Sequence, residues 1–380
     1  MASNRPTEKL KFKAIAIVAL GVVIFCITLA ANHPFFVERF YSNGLYPIIC
    51  RVLHPVLNFF PFSVGDLFYI FLIICFIYAL YLIVKLSIKK KFVTALVVIM
   101  RIVITVQTLY IIFYVFWGLN YFRLPAGERL SLRDSNYTTV DLRAVTAMLI
   151  DSANATRARL TVADLSENND SVYKTAVKAI LKLSNDSVNF RTYSPGVKSS
   201  LLTPLLNYIG TSGYYNPFTS EAQINYHMPL FDRPFVACHE MSHQIGFGAE
   251  DEANFSGFIA GVGSSDRLLR YSCYHLAVDE FMHALYYRDS LTSKELKSRI
   301  SALVRNDFKT ERLYWKSYQS KVDVISSIFY NDYLKANNQP QGLDTYNRMV
   351  LLVMSLYRNK VHNNSTPTEL ISKPNHLPKS

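Results

Sequence analysis

Residues 239–243 read His-Glu-Met-Ser-His, an H-E-x-x-H pattern inside the run PFVACHEMSHQIGFGAEDEANF. On a helix, residues four apart share a face, so the two imidazoles can converge on one ion. Glu240 is turned to the side, where it can hold a water on that ion and take its proton. Zinc suits these ligands, and it brings the pKa of such a water down towards neutrality. Pro234 sits where a helix can start, and Gly246 and Gly248 where it can stop. The bland alternative is a helix with a surface glutamate and two packing histidines. A packed helix has no need of two histidines and four acids in so short a span, and a solvent-facing helix would not flank them with Phe235, Val236, Ile245 and Phe247.

A catalytic zinc site takes a third protein ligand and keeps one position open. Glu250, Asp251 and Glu252 follow Gly246-Phe247-Gly248, where the chain can reverse into a second helix. Glu250 and Glu252 are two apart and cannot both face the metal. Glu252 carries Phe255 and Ile259 at +3 and +7 on its own side, which suits an inward-pointing residue, so the pattern predicts Glu252 as third ligand. Glu250 is the alternative, as ligand or as a partner for the free nitrogen of a histidine. Asp251 reads as an exposed first-turn acid. For oxyanion stabilisation the nearest candidates are Tyr271 and His275, with Tyr274 beside them, although His275 also reads as an ordinary helix histidine. Segment 214–228 is aromatic and polar without helical period, and predicts strand and turn. It can offer an edge for an extended peptide, with Asn225 and Tyr226 as substrate contacts, or simply pack on the histidine helix, with Glu221 a turn polar group.

HEMSHQIGF and EDEANF, with YNPFTSEAQIN before them, FPFSVGDLFY at 60–69 and WGLNYFR at 117–123, resemble a family of uncharacterised Bacteroidetes membrane proteins with H-E-x-x-H sites. These blocks are spread over most of the chain. More distantly, the run is similar to the glutamate-ligand zinc peptidases, in which a Glu-Ala-Asn run on the next helix supplies the third ligand. That likeness implies a zincin-like α+β fold, peptide hydrolysis with Zn2+, and Glu252 as the ligand. Glu252 lies nine residues beyond His243, a short link even for that group. In peptidases with H-E-x-x-H-x-x-G-x-x-H, the third histidine would fall at Ala249, so a three-histidine site is not expected here.

The elements that must position this site begin with membrane segments. The 380-residue chain has uncharged or nearly uncharged runs at 14–31, 67–84 and 92–118, each long enough to span a bilayer, and Arg101 in the third can reach the interface. Lys9, Lys11 and Lys13 precede the first, and Lys85, Lys89, Lys90 and Lys91 lie between the second and third. The positive-inside rule then puts both groups in the cytoplasm and everything after about residue 120 outside it, in the periplasm of a bacterium with a multi-pass inner-membrane protein. Residues 1–121 hold eleven Lys and Arg against three acids, so +8 of the net +12 belongs to the membrane region. The basic excess is topology signal and contact with the lipid bilayer, and no nucleic-acid module is present. Five scattered cysteines make no disulfide scaffold and read as free thiols, though Cys238 and Cys273 could pair.

Residues 32–66 are too apolar for an open loop and too broken by Pro47, Pro55 and Pro61 for a span, which predicts an interfacial or re-entrant segment. Trp117, Tyr121 and Arg123 are placed as interface anchors. Beyond them the periodicity predicts helices from Thr138, with Thr139 or Asp141 as cap, then at 171–183, 200–210, 249–262, 272–288, 293–304, 310–330 and 344–358. The expected fold is mainly α: a transmembrane region over 1–121, a mostly helical α+β domain with a small sheet over 122–362, and a disordered tail over 363–380. The expected function is a membrane-anchored zinc metallopeptidase acting on a peptide or protein substrate. The alternative is a non-catalytic zinc protein that binds envelope proteins or peptides.

Overall fold

A long uncharged run can enter lipid only as a helix, because every backbone N–H and C=O must find a partner within the segment. The computed structural model describes residues 5–132, 136–342 and 349–363, and the expected tail beyond residue 363 lies outside them. Among the described residues, helices α1 (Arg5–Ala31), α4 (Val64–Ile88) and α5 (Phe92–Phe116) are the three long and apolar enough to cross a membrane. Both α1 and α4 pack on α5. Phe71, Ile77 and Val106 stay exposed on their outer faces, as lipid contact requires.

The segment between the first two spans is helical: α2 (Pro34–Phe36), a π-helical stretch over Val37–Leu45, and α3 (Tyr46–Asn58). One face buries Tyr46, Cys50 and His54 on the soluble domain, while Phe35, Phe40, Ile48 and Val52 remain exposed. Such a two-sided helix can lie between a protein surface and a bilayer surface.

The soluble part contains α6 (Ala126–Arg129), α7 (Thr139–Ala158), α8 (Asn169–Asp186), α9 (Thr203–Tyr208), α10 (Arg233–Ile245), α11 (Glu250–Val262), α12 (Arg267–Arg288), α13 (Ser290–Arg299), α14 (Ala302–Tyr318), α15 (Lys321–Ala336) and α16 (Met349–Asn363). Thr138 itself caps α7 in a reciprocal box with Asp141. The stretches expected as helices 293–304 and 310–330 are redistributed into α13, α14 and α15. Ser301 and Ser320 supply the caps that restart the helix, and such caps override a continuous apolar period.

Strands β1 (Val197–Ser199), β2 (Gly213–Asn216) and β3 (Glu221–Ile224) form a sheet of order β1-β3-β2. β3 is central, parallel to β1 and antiparallel to β2, with Gly213 opposite Ile224. Helix α10 lies at the centre of the domain, against α8, α11, α12 and the sheet, and it is buried from Pro234 to Ile245. A helix closed in on all sides tolerates polar side chains only when they are paired or do chemistry.

The sheet is stapled to the second span. Glu221 accepts from the backbone N–H groups of Gly65 (2.6 Å) and Val64 (3.2 Å), the first turn of α4. Lys198 Nζ donates to the same carboxylate at 2.6 Å. Asp66, fully buried, accepts from Leu201 N (2.6 Å), Ser200 Oγ (3.1 Å) and the Tyr214 hydroxyl. Glu221 satisfies two orphan N–H groups at the positive end of α4, and both carboxylates suit its dipole. Glu221 is therefore a joint between membrane and sheet, where the sequence pattern suggested a turn polar group. Removing one partner of a buried ion pair typically costs about 3–5 kcal/mol. Glu221→Gln should thus destabilise the full-length protein by about 3 kcal/mol, and Lys198→Met/Glu221→Gln by less than the sum of the single changes. Unfolding in detergent measures both; a Glu221→Gln protein as stable as the parent would show that the staple carries no energy.

Candidate metal centre

Helix α10 opens with Pro234 in its first turn and ends at Gly246, whose φ of 95° lies in the left-handed region. The N–H groups of Gly246 and Phe247 return to His243 O (3.0 Å) and Ser242 O (3.2 Å), closing the last turn. The chain then reverses through Phe247 and Gly248, and α11 begins at Glu250. Any residue with a Cβ at position 246 would be strained in this conformation. The reversal sets the first side chain of α11 against the second half of α10.

Glu250 Oε2 lies 3.2 Å from His239 Nε2 and 3.6 Å from His243 Nε2. Zinc bonds of about 2.0–2.1 Å in tetrahedral geometry separate neighbouring ligand atoms by about 3.3 Å. Each histidine nitrogen thus stands from Glu250 at about the spacing that two ligands of one ion have. His243 Nδ1 donates to Phe247 O at 2.7 Å; a carbonyl can only accept, so in the neutral ring the lone pair is on Nε2, turned towards Glu250. Tyr330 on α15 donates to the other oxygen of Glu250 at 2.8 Å. One nitrogen of His239, one of His243 and an oxygen of Glu240 also lie within 4.8 Å of one another. Glu240 is buried and lines a cavity of about 720 Å³. Burial pushes its carboxyl up to about 7, against the pull of His239 and His243.

Without a metal, the ligands neutralise one another. Burial disfavours the charged form of His243, yet Glu250 overrides it and raises the imidazole to about 9. Burial likewise pushes Glu250 up, but the two imidazoles together hold it well below the usual carboxylate range. A proton on His243 then takes the place that a cation would fill, so metal and proton compete for the site.

Glu252, the acid expected to face the histidines, points away from them. It stands about 200° round the helix from Glu250 and faces α6, where it accepts from Arg129 Nη2 (2.8 Å) and Ala126 N (2.6 Å). Tyr271, expected as an oxyanion donor, does not line the cavity, and its hydroxyl donates to Asp307 at 2.5 Å. Asn225 is buried and holds Asn207 (2.7 Å) and Thr211 O (3.1 Å), while Tyr226 packs on His227 and is partly exposed. Neither of these two borders the cavity. The strand that does border it is β2, through Gly213, Tyr214 and Tyr215. A Cβ on Gly213 would sit 2.9 Å from Glu240 Oε1 and 2.7 Å from Gln223 O, so only glycine lets the strand approach that close. His275 does line the cavity, but beside Asp232 and Glu311.

Two of the residues read as interface anchors, Trp117 and Arg123, brace α10 together with Tyr46. Trp117 Nε1 donates to His243 O at 2.9 Å, Arg123 Nη1 to Gly246 O at 3.0 Å, and Tyr46 OH to Gln244 O at 2.9 Å. Arg123 is itself clasped by Glu38. These donors satisfy carbonyls that the last turn of a helix leaves open, and they tie His243 to the membrane region. No sequence period points to such contacts, since the partners are more than a hundred residues apart.

Metal analysis of full-length protein separates the two glutamates. In protein loaded with zinc, Glu250→Gln should lose the metal, whereas Glu252→Gln should keep it and unfold more easily, by about 3–5 kcal/mol, because buried Arg129 loses its carboxylate partner. Retention of zinc by Glu250→Gln with loss in Glu252→Gln would reverse the assignment.

The match to known families covers residues 41–354, which takes in the second and third spans, the sheet and the whole candidate centre. No curated protein and no solved structure matches the chain. The chain belongs to the DUF3810 family, a group of proteins of unknown function.

Proposed function

We propose that this protein is a membrane-anchored zinc metallopeptidase. One observation carries the reading: Glu250 Oε2 stands 3.2 Å and 3.6 Å from the Nε2 atoms of His239 and His243, with Glu240 beside them in a cavity. Two imidazoles and a carboxylate are a ligand set of catalytic zinc. Zinc bound there would polarise a scissile carbonyl and make a water nucleophilic at neutral pH. Glu240 is the base that takes a proton from the attacking water and passes it to the leaving amine. Strand β2 ends the sheet and turns its other side to the cavity, which suits an extended peptide added as a further strand. Trp117, Tyr215 and Phe235 give that cavity apolar walls for side chains of the substrate.

The test uses the full-length protein loaded with zinc and a mixed peptide library. Glu240→Gln should keep the metal and lose hydrolysis by a factor of about 10²–10⁴. Peptide capture without cleavage by the parent protein would instead support the non-catalytic binding reading, and equal cleavage by both would remove Glu240 from the mechanism.

We place the chain in a bacterial inner membrane with the zinc domain in the periplasm. This rests on Lys85, Lys89, Lys90 and Lys91 at the end of α4 and just beyond it, set against three spans. A reporter active only outside the cytoplasm, fused after residue 125, should be active. An inactive reporter there, with activity when fused after residue 90 between the second and third spans, would invert the topology.

A further inference from the structure

A second group of donors faces the same cavity, away from the H-E-x-x-H centre. Asp232 precedes the first turn of α10, where an aspartate ordinarily caps the helix with its side chain, yet it makes no such bond. Its carboxylate turns instead to α12, with Oδ1 3.4 Å from His275 Nδ1. On the other side, Glu311 of α14 brings Oε2 to 4.0 Å from His275 Nε2. One donor atom from each of the three residues lies within 4.8 Å of the other two. The imidazole is 3 % exposed and fixed by stacking on Phe308, with ring centroids 4.1 Å apart.

Two of these atoms lack what burial demands. His275 Nε2 and Asp232 Oδ2 are buried without a hydrogen-bond partner, and a buried polar atom left unpaired costs about 1–3 kcal/mol. Asp279 and Glu280 line this end of the cavity as well, and Glu280 Oε2 is unpartnered too. Among the described residues, the ion-pair contacts of Asp232 and Glu311 are to His275 alone. Arg233, next in sequence to Asp232, is turned to Met228 O and Asn169. The protein has thus gathered carboxylates around an imidazole and, among the described residues, set no lysine or arginine within ion-pair distance of Asp232 or Glu311; Arg233 and Arg312 act on them only from farther off.

We infer that Asp232, His275 and Glu311 form a second divalent-cation site, separate from the proposed peptidase zinc. A nitrogen donor among carboxylates favours zinc, manganese or iron over calcium, which takes oxygen ligands. Asp232 lies seven residues before His239, about 10 Å along the helix axis, whereas paired metals in a joint catalytic centre lie about 3.5–4 Å apart. The two ions would therefore act separately. Because its ligands come from the start of α10, from α12 and from α14, the second ion clamps α14 over the cavity wall. The inference stands on its own donors and does not require the peptidase reading.

Metal content of the full-length protein, loaded with zinc or manganese and freed of excess, tests it. The parent should hold two equivalents per chain, His239→Ala one, His275→Ala one, and the double variant none. Glu311→Gln, nearly isosteric and partly exposed, should also lose one equivalent while its circular dichroism stays that of the parent. A single equivalent in the parent that vanishes in His239→Ala would overturn the second site and leave the first standing. A single equivalent that survives His239→Ala and vanishes in His275→Ala would overturn the peptidase centre and leave this one. Two equivalents in folded Glu311→Gln and in His275→Ala would also overturn it, and so would basic peptides, rather than metal, binding here in competition with the parent's substrates.

Discussion

The Glu250 carboxylate, buried between two imidazoles at the start of α11, is the contact on which the rest of the structure depends. A carboxylate taken out of water is costly unless something positive meets it, and here that is either a metal held with the histidines or a proton held by His243. To bring it there, α10 must stop at Gly246, reverse within four residues and send α11 back along itself. To keep it there, Tyr330 reaches across from α15. The same reversal leaves β2 beside Glu240 at a distance that only glycine at position 213 permits. Fold and site are one construction around a single charge.

That construction reaches into the membrane region. The carbonyls at the end of α10 are capped by Trp117, Arg123 and Tyr46, all from the membrane region or its margin. The sheet that borders the cavity is held through Asp66 and Glu221 to the first turns of α4. Cutting the chain near residue 121 would strip α10 of two of its braces and leave Glu221 and Lys198 without the helix end they serve. The spans are part of the scaffold that positions His243, and not only a tether. The blocks FPFSVGDLFY and WGLNYFR are the sequences of those two joints.

How much of this was legible in the sequence follows from the range of each interaction. The spans, the helical domain and the pairing of His239 with His243 are local consequences of composition and of a period near 3.6, and all three could be read directly. The small sheet could be seen in part: strand and turn character marks 213–228, but β1 carries no such mark in three residues. Glu221, Trp117 and Arg123 were visible only as polar or aromatic side chains near apolar segments. Their partners lie far off in the chain, so their roles as joints were not.

The choice between Glu250 and Glu252 shows where the division lies. Sequence by itself determined that one acid at the start of α11 would face the histidines, because two positions two apart on a helix point in nearly opposite directions. It could not determine which, since Phe255 and Ile259 favour a buried Glu252 whether its partner is a metal or an arginine. Tertiary structure decided that Arg129, from a four-residue helix over a hundred positions earlier, takes Glu252, and that Glu250 therefore faces α10. Likewise Asp232, His275 and Glu311 come together only because α10, α12 and α14 meet at one end of a cavity. Local periodicity tells a side chain which way to point along its own helix, and only the packing of distant segments tells it what it will find there.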